Sequence, residues 1–424
     1  MNSLAHIDDV LSHCIHCGMC LPVCPTYAMT QQEASSPRGR IRLMRSLHDG
    51  SLTMSEQFTD EMYFCLDCQA CQTACPAGVQ YGSLVEDARE KIANQHREPL
   101  SLRLLKKIFL RGILSTPNRT KLFGRILRWY DRIGFRGAID ETGILGLFSE
   151  RLKEKHRLLP NVREEFFDET SPEFIPAKGK KRGCVAFLSG CIMNIAFADV
   201  HRDAVDVLTA CGFDVIIPKR QVCCGSLHGH NGDISMAKNL AKQNIDIFLQ
   251  HEFDALVIDS AGCGAFLKEY GKLLADDSDY VDRAKILSTK TKDISEFLSE
   301  VGILRQLIPL DVRVTYHEAC HLVHTQKISR QPRDIIKQIP GVTFTELPES
   351  TWCCGSAGIY NILRFDDSMK MLERKMNNIA STNSEIVLTA NPGCHLQLEC
   401  GIRQSGLKME VLHPVSLLKR AISA

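Results

Sequence analysis

The chain has 424 residues, 51 Lys and Arg against 50 Asp and Glu, a formal net charge of +1, and 44% hydrophobic residues. That length predicts two or three domains, and the apolar content gives each a core and excludes global disorder. The even charge balance excludes nucleic acid as a partner, because neutralising phosphates needs a clear basic surplus.

Nineteen cysteines are too many for an average soluble enzyme, yet the chain is too long for a small disulfide-stapled secreted domain. The opening MNSLAHIDDVLSHC lacks the basic start and apolar run of a signal peptide. No apolar stretch reaches the roughly 18 residues that a membrane span needs. A cytoplasmic chain is therefore expected, and clustered cysteines there act as metal ligands rather than disulfides.

The first block reads Cys14-x2-Cys17-x2-Cys20-x3-Cys24-Pro25, then Cys65-x2-Cys68-x2-Cys71-x3-Cys75-Pro76. This is the bacterial ferredoxin run, twice. The short spacings bring three thiolates to one [4Fe-4S] cluster, and the cysteine before the proline ligates the other. The expected sets are Cys14, Cys17, Cys20 and Cys75 for one cluster, and Cys65, Cys68, Cys71 and Cys24 for the second. Zinc sites use two CxxC pairs with a longer spacer and have no need of this run. Two such clusters carry one electron each, so electrons enter and leave through this chain. Arg38 and Arg40, between the motifs, are read as ordinary surface cations rather than as tuners of cluster potential.

From Arg103 to Arg136 the chain carries ten Lys or Arg and one acid, Asp131, interleaved with Leu, Ile, Phe and Trp129. This predicts basic amphipathic helix, interrupted near Pro117. It is read as a solvated helix pair packing the domains together; the competing reading is a contact surface for an anionic membrane face or an acidic partner.

The remaining cysteines form an internal repeat. Cys191 is followed by Cys223-Cys224-Gly225 and Cys263; Cys320 is followed by Cys353-Cys354-Gly355 and Cys394. The separations are 32 and 39 residues in the first copy, 33 and 40 in the second. In each copy an apolar run (CVAFLSG, VRVTYHE) delivers the first cysteine at a strand end. A helix follows (HRDAVDVLTAC before Gly212, QPRDIIKQI before Pro340-Gly341), then a strand into the CCG turn (FDVIIPKR, VTFTELPE). After another helix, a third strand (DALVIDSAG, EIVLTANPG) is expected to end at the last cysteine. Alternating strands and helices predict a parallel sheet per copy, with the cysteines at the carboxyl ends where ligands gather. Cys184, Cys211 and Cys400 fall outside the frame and are read as buried packing residues. His228, His230, His317, His321 and His324 are candidate fifth ligands or proton carriers, each weighed against an ordinary satisfied polar role.

The repeat resembles the cysteine-rich CCG domain of heterodisulfide reductases and of several respiratory dehydrogenases. SAGCGAFLKEYG, TWCCGSAGIYNI, Ser36-Pro37-Arg38-Gly39-Arg40 and HCGMCLPVCPTY resemble the iron–sulfur subunit of glycolate oxidase. The resemblance implies an α+β multi-domain chain. A helical ferredoxin-like domain (1–95) and a basic helical linker (96–181) precede two α/β CCG domains (182–308 and 309–424). It also implies a metal set on Cys191, Cys223, Cys224 and Cys263 and another on Cys320, Cys353, Cys354 and Cys394. The closing cysteine of the heterodisulfide reductase pattern is absent, with Phe266 and Gln397 in its place. The expected cofactors are two [4Fe-4S] clusters, plus a further iron–sulfur cluster or zinc at the CCG sites.

With no GxGxxG after a strand and no P-loop, the chain has no site of its own for flavin or nucleotide. The resemblance implies the electron-transfer subunit of an acceptor-dependent glycolate dehydrogenase, served by a flavoprotein 2-hydroxy-acid dehydrogenase subunit. The acceptor would be a quinone or other carrier, with the chain peripheral on the inner membrane face. The alternatives are the corresponding subunit of a lactate or anaerobic glycerol-3-phosphate dehydrogenase, or a heterodisulfide-reductase-like catalytic subunit.

Overall fold

The computed structural model describes residues 2–95, 98, 100–160, 162 and 165–422. Within residues 2–95 every described regular element is a helix. Pro25 sits in the first turn of Pro25–Thr30, where its missing N–H costs nothing, and Ser36 caps Pro37–His48 by accepting from the Gly39 N–H. Glu56–Phe64 and Tyr81–Asn94 supply Phe58, Met62, Leu84, Val85 and Ile92 to a common core. The two cysteine motifs run as largely irregular chain over that core.

The linker is helical as expected. It includes a π-helical stretch Lys107–Leu114 and, after Pro117 restarts the chain, the helix Pro117–Arg132. Several of its cations, though about half of them stay exposed, are paired with acids. Lys106 pairs with Glu98, Arg111 with Asp233, Lys121 with Asp168, Arg125 with Glu169 and Arg136 with Asp131. Arg128 lies over the Phe166 ring. The helix Pro117–Arg132 also exposes Leu122, Ile126 and Trp129, the last 63% exposed. The ion pairs agree with the packing reading, while the exposed face of this helix carries Arg119, Arg125 and Arg132 beside the apolar residues.

Each repeat builds one sheet. The first holds β1 (Phe174–Ile175), β2 (Gly183–Phe187), β3 (Phe213–Ile216), β4 (Ala255–Ile258) and β5 (Thr291–Asp293) in the order β1-β3-β2-β4-β5. The second holds β6 (Val312–Tyr316), β7 (Val342–Phe344), β8 (Ile386–Leu388) and β9 (Glu410–Leu412) in the order β7-β6-β8-β9. All pairings are parallel except β1 with β3. The three expected strands of each copy are present. The fourth strands β5 and β9, three residues each, are too short to carry a pattern.

The repeats interlock reciprocally. The first helix of copy one, Ala198–Ala210, packs on the last helix of copy two, Pro414–Ala421. The last helix of copy one, Ile294–Val301, packs on the first helix of copy two, Arg330–Gln338. This is the pairing of an approximate two-fold, and one apolar core containing Val185, Phe187, Val314, Tyr316 and Leu388 serves both sheets.

Gly124 sets how closely the linker approaches the first repeat, because a Cβ there would stand 2.9 Å from Phe166 Cζ. Gly124→Val should destabilise the chain by about 1–3 kcal/mol through overpacking, read as a lowered thermal midpoint. An unchanged midpoint would show that this contact does not hold the linker.

Candidate metal centres

In a parallel sheet of this order the crossovers leave the first and third strands in opposite directions, and the crevice between them receives ligands. Cys191 follows β2, the CCG turn follows β3 and Cys263 follows β4. Cys320, Cys353-Cys354 and Cys394 stand likewise after β6, β7 and β8. The last cysteine of each set lies not at the strand end, as expected, but in the first turn of the next helix, Ala261–Lys268 or Pro392–Ser405.

Both CCG turns need glycine. Gly225 and Gly355 adopt φ of +89° and +91°, a region costly for any side chain. There the Gly225 N–H points at Cys223 Sγ at 3.5 Å, and the Gly355 N–H at Cys353 Sγ at 3.4 Å. The Tyr270 hydroxyl, donating to the Cys224 carbonyl at 2.6 Å, and Asn244, donating to that of Cys223 at 3.1 Å, fix the first turn. Ser368 donates to the Gly355 carbonyl at 2.8 Å in the second.

The thiols are crowded. Cys191 and Cys223 Sγ are 3.5 Å apart. Hydrogen bonds from Cys191 and Cys224 hold the Cys223 thiol well below its usual range, while the same contacts push Cys191 and Cys224 up. In the second set, contact with Cys353 and burial push Cys320 up, and Cys353 and Cys354 rise as well. Four sulfurs so placed cannot all be thiolates unless a positive centre lies among them. Soft, deprotonated sulfur is the donor set of iron–sulfur clusters and zinc, so these residues fit either group.

Cys14, Cys17, Cys20 and Cys75 border one small cavity, which Cys71 also touches. Cys68 and Cys71, both pushed well up by burial, each interact with Cys65 and Cys24. The structure thus brings Cys75 to the first motif, while Cys24 interacts with cysteines of both motifs. Arg40 is not the surface cation expected. It is 1% exposed, donates to the Glu61 carbonyl and Thr26, and faces Cys24 and Cys65. Arg38 is partly exposed and pairs with Glu33.

The sulfur sets are contiguous. Cys68 interacts with Cys320 and Cys353, and Phe64, Leu66, Cys353 and Tyr360 share an apolar cluster with it. Beside them Arg89 donates to the carbonyls of Met62, Cys65 and His230, joining the N-terminal block to the first repeat. A cavity of about 1600 Å³ lies between the repeats, lined by all eight repeat cysteines and by Cys65, Asp67, His230 and His321.

Most of the flagged histidines are occupied elsewhere. His230 bonds Glu86 at 2.5 Å and faces Asp67; burial opposes its charge, but these carboxylates raise its pKa to about 10. His321 donates to the Asp67 carbonyl at 3.0 Å, and His324 meets Thr73 at 3.1 Å. His228 meets the Leu110 carbonyl at 3.0 Å with one nitrogen and interacts with Cys223. His317 is different: it is 1% exposed, and ligand atoms of His317, Cys354 and Cys394 lie within 4.8 Å of one another. Burial and Lys375 hold His317 neutral, well below its usual range.

Sequence reasoning missed two features of these sites. Asp67, lodged inside a ferredoxin motif, ties that motif to His230 and His321, a contact that no local pattern announces. Lys375 is fully buried beside the second set, donating to the Glu349 and Ser350 carbonyls, and burial lowers its pKa to about 8. Phe266 packs on Gly229, and the Gln397 amide bonds Asn361 and Ser368, so neither closing position supplies a ligand. Cys211 and Cys400 are buried as expected, whereas Cys184 is only partly so, sitting where β2 begins beside Asp254.

Residues 10–79 match the 4Fe-4S dicluster domain family, and residues 185–268 and 314–399 match the cysteine-rich domain family. Residues 101–159 match the linker region of the glycolate oxidase iron-sulfur subunit. The probable glycolate oxidase iron-sulfur subunit of Bacillus subtilis is 39% identical over 98% of this chain and 94% of its own length. The glycolate oxidase iron-sulfur subunit of Escherichia coli is 30% identical over 98% of this chain and 95% of its own. Lactate utilization protein A of Oceanobacillus iheyensis is 30% identical over 55% of this chain and 96% of its own length.

A Cβ on Gly355 would stand 2.5 Å from the Ser368 carbonyl oxygen in addition to its positive φ. Gly355→Ala should therefore cost about 1–3 kcal/mol and loosen the second cysteine set. Thermal unfolding and metal retention of the variant measure both effects. Wild-type values for the two would show that the turn tolerates a side chain.

Proposed function

We infer the function of this chain from its family: it belongs to the glycolate oxidase iron–sulfur subunits. It is the iron–sulfur, electron-transferring subunit of an oxidoreductase complex that acts on hydroxy acids, and it works with a partner subunit. The observation that carries this reading is that the second ferredoxin motif adjoins the second cysteine-rich set, Cys68 packing in one apolar cluster with Cys353, in a chain similar over nearly its full length to such subunits.

The crossed ligand sets are our assignment: Cys14, Cys17, Cys20 and Cys75 for one [4Fe-4S] cluster, and Cys24, Cys65, Cys68 and Cys71 for the other. The two CCG sets hold a further cluster or zinc. Such centres, when bound, supply one-electron donor and acceptor capacity. The chain's own part is to hold sulfur at fixed positions, aim the Gly225 and Gly355 N–H groups at it, and keep water off. Arg40 adds a buried positive charge beside Cys24 and Cys65. The domain boundaries at 95, 181 and 308 and the ferredoxin-like character of the first segment belong to the same reading.

Removing hydride from an α-hydroxy acid needs a two-electron cofactor. The sequence has no fingerprint for one, so this step falls to a flavoprotein 2-hydroxy-acid dehydrogenase subunit. A quinone or other acceptor then takes the electrons, and the chain lies against the inner membrane face as a peripheral protein. The exposed Leu122, Ile126 and Trp129 support a surface contact of that kind. No helix among the described residues is long and apolar enough to cross a membrane. Lactate is the second substrate reading, favoured by the relatives named for lactate utilization.

The full chain, reconstituted anaerobically, should carry about eight irons in its N-terminal motifs, four per cluster. Cys24→Ser should damage the cluster on Cys65, Cys68 and Cys71; an intact one would disprove the crossed assignment. Glycolate-dependent dye reduction should appear only when the flavoprotein is added. Turnover by the single chain would overturn the division of labour.

A further inference from the structure

The two cysteine-rich repeats coincide in backbone but not in what faces their sulfurs. Leu188 and His317 each stand three residues before the first cysteine of their copy. Their backbone environments match: the Leu188 N–H donates to the Val257 carbonyl at 3.2 Å, and the His317 N–H to that of Leu388 at 2.9 Å. Val257 and Leu388 each precede the last cysteine of their copy by six residues. Equivalent places therefore hold a leucine in one copy and an imidazole in the other.

The imidazole is aimed at the sulfurs. Its ligand atom lies within 4.8 Å of both Cys354 and Cys394 Sγ, and neither ring nitrogen has a hydrogen-bond partner within 3.5 Å. A fully buried imidazole without such partners costs on the order of 1–3 kcal/mol, a cost that a bond to metal removes. His228, near the first set, is held differently: Nε2 meets the Leu110 carbonyl, and the remaining Nδ1, though without a hydrogen-bond partner, faces Cys223 alone rather than two sulfurs. The surroundings diverge in charge as well. Lys375 brings a buried ammonium beside the second set, whereas the matching helix of the first copy, Ile234–Phe248, buries no charged side chain.

We propose that the repeats hold unlike centres, a four-thiolate one on Cys191, Cys223, Cys224 and Cys263, and one in which His317 joins Cys320, Cys353, Cys354 and Cys394 as a nitrogen ligand. This rests on the reading that the CCG sets bind metal. It also accounts for the missing closing cysteine of the second copy: the nitrogen enters from the strand end instead.

The test uses the full chain reconstituted anaerobically with iron and sulfide, and in parallel with zinc. The wild type should hold metal beyond the eight irons of the two ferredoxin motifs. Its second centre should show histidine nitrogen coupling by pulsed EPR, or a mixed sulfur–nitrogen shell at the zinc absorption edge. His317→Leu, which copies Leu188, should lose that nitrogen signature and give up second-site metal to a chelator at least ~10-fold faster. His317→Cys should lose the signature yet keep the metal. The visible spectrum of the N-terminal clusters reports folding of both variants. A signature that persists in His317→Cys, is absent from the wild type, or disappears in His228→Asn instead would overturn the proposal while leaving metal binding intact. A wild type with no metal beyond those eight irons would overturn the underlying reading itself.

Discussion

Mutual repulsion of buried thiolates governs this molecule. Each deprotonated sulfur in a dry site is costly unless a positive charge or hydrogen-bond donors face it. The chain carries sixteen cysteines in its ferredoxin and CCG motifs, those of the repeats and of the second ferredoxin motif largely buried and Cys17 of the first exposed. Much of the surrounding architecture supplies compensation: glycine N–H groups at the CCG turns, Arg40 beside the N-terminal motifs, Lys375 beside the second repeat. These donors lower the cost without cancelling it, which is why the sets read as receptors for cationic centres.

The arrangement of the sets follows from topology. Parallel sheets with the same strand order present cysteines from three strand ends to one crevice, and reciprocal helix packing fixes the two crevices relative to each other. The ferredoxin segment is then pinned by Arg89, whose guanidinium bridges carbonyls of Met62, Cys65 and His230. It works together with Asp67 and His321, with the His230–Glu86 and His324–Thr73 contacts, and with the Arg364–Asp60 ion pair, all of which join the segment to the repeats.

Much of this was legible in the sequence because it rests on spacing. The ferredoxin runs, the repeated separations around the double cysteine and the first three strands of each copy are local or periodic features, and they appear where expected. Features that depend on tertiary contact were not legible. Arg40 looked like a surface cation because nothing nearby in sequence reveals that Glu61 and Thr26 enclose it. The linker's cations suggested an outward basic face because their partners, Asp168, Glu169 and Asp233, lie far along the chain. Five histidines looked equivalent until packing gave His230, His321 and His324 other partners, set His228 between the Leu110 carbonyl and Cys223, and left His317 facing two sulfurs.

The interlocked repeats also bear on how the protein is made. Helix Ala198–Ala210 is covered by Pro414–Ala421, so some 200 residues must follow it before its partner exists. At a synthesis rate of about 5–20 residues per second, that is a delay on the order of 10–40 s. Through that interval the nascent first repeat presents apolar surface and uncoordinated thiols to the cell. The first repeat therefore reaches its final packing only after the last helix of the second has been made, whereas the N-terminal core, whose helices end at Asn94, is complete within one short stretch.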